Sequence, residues 1–258
     1  MFIFGVEKMK TAIVIGATSG IGREVAVRLL GQGWKVGVAG RRREALETLQ
    51  AEFGAERVVI QPIDITSEDA MARLDALLAE TGPPDLFLHV SGIGFQNLSL
   101  DEATEIAIVR TNCEGMVRMV TRFLNYVKSS GAYGKGRKAQ VGVVTSVAGT
   151  AGLGVSPAYS ASKKMQSTYV SALVQLSRME HIPVVFSDIR PGFVATPILD
   201  PGKRYPVLIS VEKAADYILR GLRRGKRIII FDWRFRLITG VWRCIPRPLW
   251  ERLTFVKN

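Results

Sequence analysis

Thr11-Ala12-Ile13-Val14-Ile15-Gly16-Ala17-Thr18-Ser19-Gly20-Ile21-Gly22 is the stretch on which the fold turns. Its first five residues are an apolar run of strand length. The glycines at 16, 20 and 22 make a tight turn, which opens a helix running to about Gln32. Bare glycines let the backbone approach a pyrophosphate, whose charge suits the positive end of a helix. A P-loop is excluded because no Gly-Lys-Ser/Thr follows, and the spacing is not the Gly-x-Gly-x-x-Gly of the general dinucleotide fingerprint. A loop of this kind also occurs as a mere tight turn, so the residues beyond it decide.

Beyond it, apolar strands and helical patterns alternate. Strands are expected at 36–39, 57–61, 86–90, 141–146, 183–189 and 227–231, with helices at 44–53, 100–128, from 159 onward, and at 211–224. This alternation predicts an α/β domain: a doubly wound, Rossmann-type, seven-stranded parallel sheet with helices on both faces. Ligands of such sheets sit at the carboxyl ends of the strands. Residues 1–231 are expected to form that domain and residues 232–258 a short helical tail.

With 258 residues, 47% of them hydrophobic, the chain suffices for one core of native proportions. No apolar run reaches the roughly 18 residues of a membrane span. Met1-Phe2-Ile3-Phe4-Gly5 is too short for a signal-peptide core, so a cytoplasmic protein is expected, with Met9 as an alternative start to Met1. Cys113 and Cys244 make neither a disulfide framework nor a metal-ligand pattern, and no metal is expected. The net charge is +12, and from Lys203 onward 14 Lys and Arg face 4 Asp and Glu, so the excess is a C-terminal property. It suits nucleic acid, an anionic membrane surface or an acidic partner.

The chemistry centres on Tyr159-Ser160-Ala161-Ser162-Lys163, which puts a phenol and an ammonium one turn apart on one helix face. A free tyrosine has a pKa of about 10, and a fixed cation beside it lowers that value. Thirteen residues before Tyr159, Ser146 ends the apolar run Val141-Gly142-Val143-Val144-Thr145. The ordered set of glycine loop, Ser146 and the Tyr159-x-x-x-Lys163 pair resembles the short-chain dehydrogenase/reductase family, in its single-domain branch of about 250 residues, over roughly residues 9–231.

The resemblance implies an NAD(P)-dependent oxidoreductase acting on a carbonyl or alcohol. By it, Tyr159 is the proton donor, Ser146 polarises the carbonyl oxygen, and Lys163 lowers the tyrosine pKa and holds the nicotinamide ribose. Asn112 keeps a local break in its helix and a water that passes protons, although a solvent-facing polar residue is the other reading. The cofactor is expected along Gly16, Thr18, Ser19, Gly20, Ile21 and Gly22, with Asp64 and Ile65 at the adenine. Asp64 or Ser67 also suits a helix cap. Ser91 and Gly92 stand where the family has Ala-Gly, but His89-Val90 replaces its Asn-Asn. His89 is read as a satisfied structural residue. Pro191, Gly192, Val194 and Thr196 match the segment that holds the nicotinamide carboxamide.

Cofactor choice is read from the residues after the second strand, where an acid would bind a ribose 2′-hydroxyl and an arginine accommodates a 2′-phosphate. Gly40-Arg41-Arg42-Arg43 has no acid and three arginines, so NADP(H) is predicted, with Arg41 as phosphate contact and Arg42 as helper. Residues 147–157 carry no charge, so the substrate is expected to be neutral and partly apolar near its carbonyl. Residues 197–206 read as a lid or a plain connection, and 129–138 as a flexible surface loop.

In the tail, Phe235, Ile238, Val241, Trp242, Ile245, Leu249, Trp250 and Leu253 recur at helical spacing among arginines, with Pro246 and Pro248 dividing two short helices. Packing on its own domain or a second subunit is the plainer reading, and an interfacial membrane helix the other. No nucleic-acid module appears. The family implies a homodimer or homotetramer. Two rival functions stay open: a cofactor-binding regulator without turnover, and a membrane-surface reductase of lipid-like ketones.

Overall fold

The computed structural model describes residues 9–134, 136–199, 202 and 204–254. The N-terminal readings and part of the 197–206 connection lie outside the described residues.

Strand β1 (Thr11–Ile15) shows why the sheet is wound on both sides. Successive strand residues point to opposite faces. Ala12 and Val14 join one buried cluster with Val25, Leu29 and Ile218, while Ile13 and Ile15 join another with Leu74, Met119 and Phe123. Helices α1 (Gly20–Gly31), α2 (Arg43–Phe53) and α7 (Val211–Arg223) cover the first face. Helices α3 (Ala70–Thr81), α5 (Met116–Ser129) and α6 (Pro157–Met179) cover the second. The remaining strands are β2 (Lys35–Gly40), β3 (Val58–Pro62), β4 (Leu86–His89), β5 (Ala139–Val144), β6 (Val184–Pro191) and β7 (Ile228–Phe231).

The seven strands are parallel in the order β3-β2-β1-β4-β5-β6-β7. The winding reverses between β1 and β4, and a crevice at such a switch point is where this class of sheet binds its ligands.

The helix expected over 100–128 is divided. Helix α4 (Glu102–Val109) passes through a π turn (Arg110–Gly115) into α5. Asn112 lies inside that turn and is fully buried.

The 129–138 segment is tethered. Tyr133 donates its hydroxyl proton to the Pro84 carbonyl at 2.8 Å, and Arg137 pairs with Asp85 at 2.9 Å. Both partners lie about fifty residues away in sequence, so local composition does not show them.

The tail forms α8 (Trp233–Cys244) and α9 (Arg247–Trp250). Phe235 and Thr239 are buried, and Trp242 meets Trp250 with ring centroids 5.1 Å apart. Trp250 donates its indole N–H to the Gly152 carbonyl at 2.7 Å. No described helix is long and apolar enough to cross a membrane.

Candidate active site

The glycine loop leaves β1 with Gly16 at φ +96° and re-enters helix α1 at Gly20 with φ +53°, conformations that favour glycine. The N–H groups of Gly16 and Ala17 both donate to the Ala39 carbonyl, at 2.8 and 2.9 Å, which fixes the loop against β2. A Cβ on Gly22 would lie 2.0 Å from the Gly16 carbonyl oxygen, and one on Gly16 would lie 2.7 Å from the Ser91 nitrogen. The loop is therefore bare backbone by necessity. Thr196 approaches it from β6, its methyl 3.1 Å from where a Cβ on Gly20 would stand.

At the end of β2, Arg42 donates to the Thr18 carbonyl and hydroxyl at 3.2 and 3.1 Å. Arg41 is exposed and makes no hydrogen bond or ion pair with a described residue. With Asp64, Ile63 and Ser67 it lines a depression of about 380 Å³. Asp64 accepts from the Thr66 N–H and hydroxyl at 2.9 and 2.7 Å. Burial pushes its pKa up, but the Thr66 bonds and nearby Arg41 leave it below the usual carboxylate value. Neither Asp64 nor Ser67 caps α3: Asp64 closes the Thr66 turn, and Ser67 donates to the Asp64 carbonyl at 2.7 Å.

At the carboxyl end of β5, Ser146 precedes a 3-10 turn (Val147–Thr150) and accepts the Ala148 N–H at 3.1 Å. Helix α6 starts at Pro157, whose fixed φ suits a first helical position. The Ala158 N–H donates to Glu105 of α4 at 2.8 Å, which anchors this start. Tyr159 follows, with Ser146 near enough to favour its ionised form. Its ring lies on Gly94, where a Cβ would stand 2.6 Å from Cε2.

One turn on, Lys163 is 4% exposed, with Nζ 5.6 Å from the Tyr159 ring centroid and 3.3 Å from the Val144 carbonyl that accepts from it. Burial lowers its pKa from 10.5 to about 8, against the opposing influence of Cys113 and Asp188. Burial also raises the Tyr159 pKa, and the nearby Ser146 opposes it. The net direction is upward, opposite to the depression expected from the one-turn spacing, because burial dehydrates the hydroxyl.

Asn112 is clamped on all sides. Its Oδ1 accepts from the Ile93 N–H at 2.8 Å, and its Nδ2 donates to the Ile93 carbonyl at 2.8 Å and to Ser162 at 3.0 Å. Its own carbonyl accepts from Gln166 at 2.7 Å. Gly92 leaves the space in which Asn112 and Lys163 converge: a Cβ there would stand 3.1 Å from Oδ1 and 3.3 Å from Nζ. Ile65 packs its side chain against Gly115 of the π turn.

His89, at the end of β4, is not the satisfied residue expected. It is fully buried, and neither ring nitrogen has a partner in hydrogen-bond geometry among the described residues, though the adjacent Ser91 backbone favours the charged form. Burial and then Lys163 push its pKa down to about 3. The Asp188 carboxylate beneath the site is held by Thr145 at 2.7 Å and by Arg190 at 2.6 Å.

At the end of β6, Gly192 is the floor on which Phe235 of α8 rests, since a Cβ would fall 2.1 Å from that ring. Pro191 and Val194 are buried, and Thr196 donates to the Val194 carbonyl at 3.2 Å. The candidate residues of the loop, β2 to β6, and helix α6 thus lie along one edge of the sheet. Gly94, Glu105, Ser162 and Gln166 were not singled out from the sequence. Ser162 and Gln166 had a signal, since they follow Tyr159 by three and seven residues and share its helix face.

A doubly wound parallel sheet with a bare-glycine turn after β1 and a Ser, Tyr and Lys set at its carboxyl edge defines the class of nucleotide-dependent oxidoreductases. The short chain dehydrogenase profile matches residues 10–204, and the chain belongs to that family. It is 32% identical over 248 residues to an uncharacterised oxidoreductase of Myxococcus xanthus, covering 94% of this chain and 95% of that one. It is 26% identical over 236 residues to 11-beta-hydroxysteroid dehydrogenase-like 2 of Arabidopsis thaliana, covering 86% and 73%. A short chain dehydrogenase from Burkholderia cenocepacia J2315, solved in complex with NADP, superposes with a TM-score of 0.79 at 22% identity, covering 95% and 98%. The protein is an NAD(P)-dependent oxidoreductase.

Proposed function

We propose that the protein is an NADPH-dependent carbonyl reductase, reversible as an alcohol dehydrogenase, for a neutral and partly apolar ketone or aldehyde. The observation that carries this reading is Ser146 beside the Tyr159 hydroxyl, with the Lys163 ammonium against the tyrosine ring. Two neighbouring hydroxyls suit an oxygen on which negative charge develops.

The residues fit NADP(H). The glycine loop offers a cradle that a Cβ would fill, and Arg41 offers a cation with no hydrogen bond or ion pair to a described residue at the position that accommodates a 2′-phosphate. The loop from Gly16 to Gly22, Arg41 with Arg42, Asp64 and Ile65, Ser91 and Gly92, Lys163, and the segment from Pro191 through Gly192 and Val194 to Thr196 would hold it. When bound, the cofactor supplies the hydride.

The chain's own residues do the rest. Tyr159, whose pKa is held above its ordinary value, is protonated at pH 7 and donates to the substrate oxygen. Ser146 hydrogen-bonds the same oxygen. Lys163 stays largely charged at neutral pH and steadies the phenolate left behind. Asn112 acts through others, holding the π turn to Ile93 and Ser162 so that Lys163 is correctly placed. Alcohol oxidation needs the phenolate and therefore rises with pH. The uncharged wall from 147 to 157 and the steroid dehydrogenase-like relative support an apolar substrate.

The test is titration with NADPH and NADH, followed by turnover on a panel of neutral ketones. Tight NADPH binding with turnover is expected. In Tyr159→Phe, binding remains and turnover falls by about 10²- to 10⁴-fold. Undiminished turnover in that variant would remove Tyr159 from the chemistry.

A further inference from the structure

A second cavity, of about 340 Å³, lies behind the catalytic helix and is lined by Thr150, Lys164, Ser167, Thr168, Arg190 and Arg243 among others. Its size is within the range of small-molecule pockets. The three cations come from three separate elements, α6, β6 and the tail helix α8. No carboxylate is among the lining residues.

Of the three lining cations only Arg190 has a carboxylate partner among the described residues. Lys164 and Arg243 make no hydrogen bond or ion pair with a described residue. Arg190 is held from below by Asp188 through Nε and one terminal nitrogen, which orients its guanidinium and leaves Nη1 without a described partner. Behind it, Arg227 and Arg178 add positive charge, and Arg227 Nη1 is buried without a hydrogen bond. Like charges converging on one cavity repel, and the hydroxyls of Thr150 and Thr168 supply neutral donors beside them. Planar guanidinium and ammonium donors around a hydroxylated pocket match a tetrahedral oxyanion.

We propose that this cavity binds a phosphate group, as free phosphate or a phosphate monoester, at a site separate from the cofactor cleft. Its wall is shared with the catalytic elements. Lys164 is the residue after Lys163, and a Cβ on Gly149 would stand 2.7 Å from the Lys163 carbonyl carbon, so the 3-10 turn rests directly on that part of α6. The tail completes the site through Arg243, which gives the C-terminal excess of positive charge a specific use.

The test is calorimetric titration of the full chain with inorganic phosphate, against chloride at equal ionic strength. Arg41→Ala removes the cation placed at the 2′-phosphate position of the cofactor cleft, the other site in this molecule read as taking phosphate. Binding is expected to persist in Arg41→Ala and to weaken about ten- to a hundredfold in Lys164→Gln and in Arg243→Gln, as loss of one charge-assisted hydrogen bond implies. Thr168→Glu places a carboxylate at the exposed rim without removing a cation, and is expected to abolish binding with the thermal transition retained. Flotation with vesicles containing phosphatidic acid separates the sources: Lys164-dependent flotation marks a lipid headgroup, and its absence beside calorimetric binding marks a soluble phosphate. No phosphate binding in either arm, or binding unchanged in Lys164→Gln, Arg243→Gln and Thr168→Glu, would overturn the assignment.

Discussion

Replacing Lys163 with methionine is expected to stabilise the cofactor-free protein while disabling it. Burial lowers the ammonium pKa from 10.5 to about 8. At about 1.4 kcal/mol per pH unit, that displacement is worth roughly 3 kcal/mol against the folded state at pH 7. The lysine donates one long hydrogen bond, 3.3 Å to the Val144 carbonyl, whose loss returns roughly 1 kcal/mol. A net gain of roughly 2 kcal/mol is therefore expected for Lys163→Met at pH 7. Its pH dependence distinguishes this from better packing. The folded pKa lies below the unfolded one, so the neutral lysine's contribution is complete above pH 10.5 and is lost as pH falls through 8. Between those values wild type gains stability with rising pH and the variant does not, so their difference closes by about 1.4 kcal/mol per unit. Urea unfolding of both proteins at pH 7, 8, 9 and 10 measures it. A variant less stable than wild type at pH 7, or a difference that stays constant from pH 8 to 10, refutes the reasoning.

Arg41→Ala is expected to weaken NADPH binding about tenfold or more while leaving NADH binding within about twofold, read by fluorescence titration. His89, with its pKa lowered from 6.5 to about 3, contributes stability above pH 6.5 that is lost as pH falls toward 3, roughly 2 kcal/mol by pH 5. His89→Gln should lose correspondingly less on acidification, and equal losses in urea midpoints would remove His89 as the cause. Gly192→Ala drives a methyl into the Phe235 ring and should cost about 1–3 kcal/mol by thermal or chemical unfolding. Adding Phe235→Ala should recover part of that loss, whereas strict additivity of the two would deny the contact.

The fold was legible because its signals are local. The run from Thr11 to Gly22 contains both the strand period and the glycines that φ +96° at Gly16 and the 2.0 Å approach at Gly22 demand. Strand edges moved by a few residues, and the seven-stranded parallel sheet stood. The glycine loop, Ser146, Tyr159 and Lys163 share an edge of the sheet that strand polarity alone indicates. What could not be read is what depends on contacts distant in sequence. Glu105 reaches the Ala158 N–H across 53 residues, and Tyr133 reaches Pro84 across 49. The Tyr159 pKa was also beyond the sequence, because the one-turn spacing to Lys163 shows a cation but not how much water the fold removes from the phenol.

The tail shows the same division at the scale of the site. Its apolar spacing predicted two short helices but not their seats, and each seat lies in a loop at the carboxyl edge of the sheet. Phe235 fills the space left by Gly192, and Trp250 holds the Gly152 carbonyl at 2.7 Å. Gly192 begins the loop after β6, and Gly152 lies in the uncharged stretch between Ser146 and Tyr159. Both contacts go to backbone that has no strand or helix ladder of its own at that point, so their geometry is set from outside. Where such loops are shaped by a distant element, the pocket they line is a property of the whole chain. The exposed Trp233, Leu237 and Val241 recur every four residues on the other face of α8, so changes there leave both anchors in place. Changes at Phe235 or Trp250 reach the cleft directly.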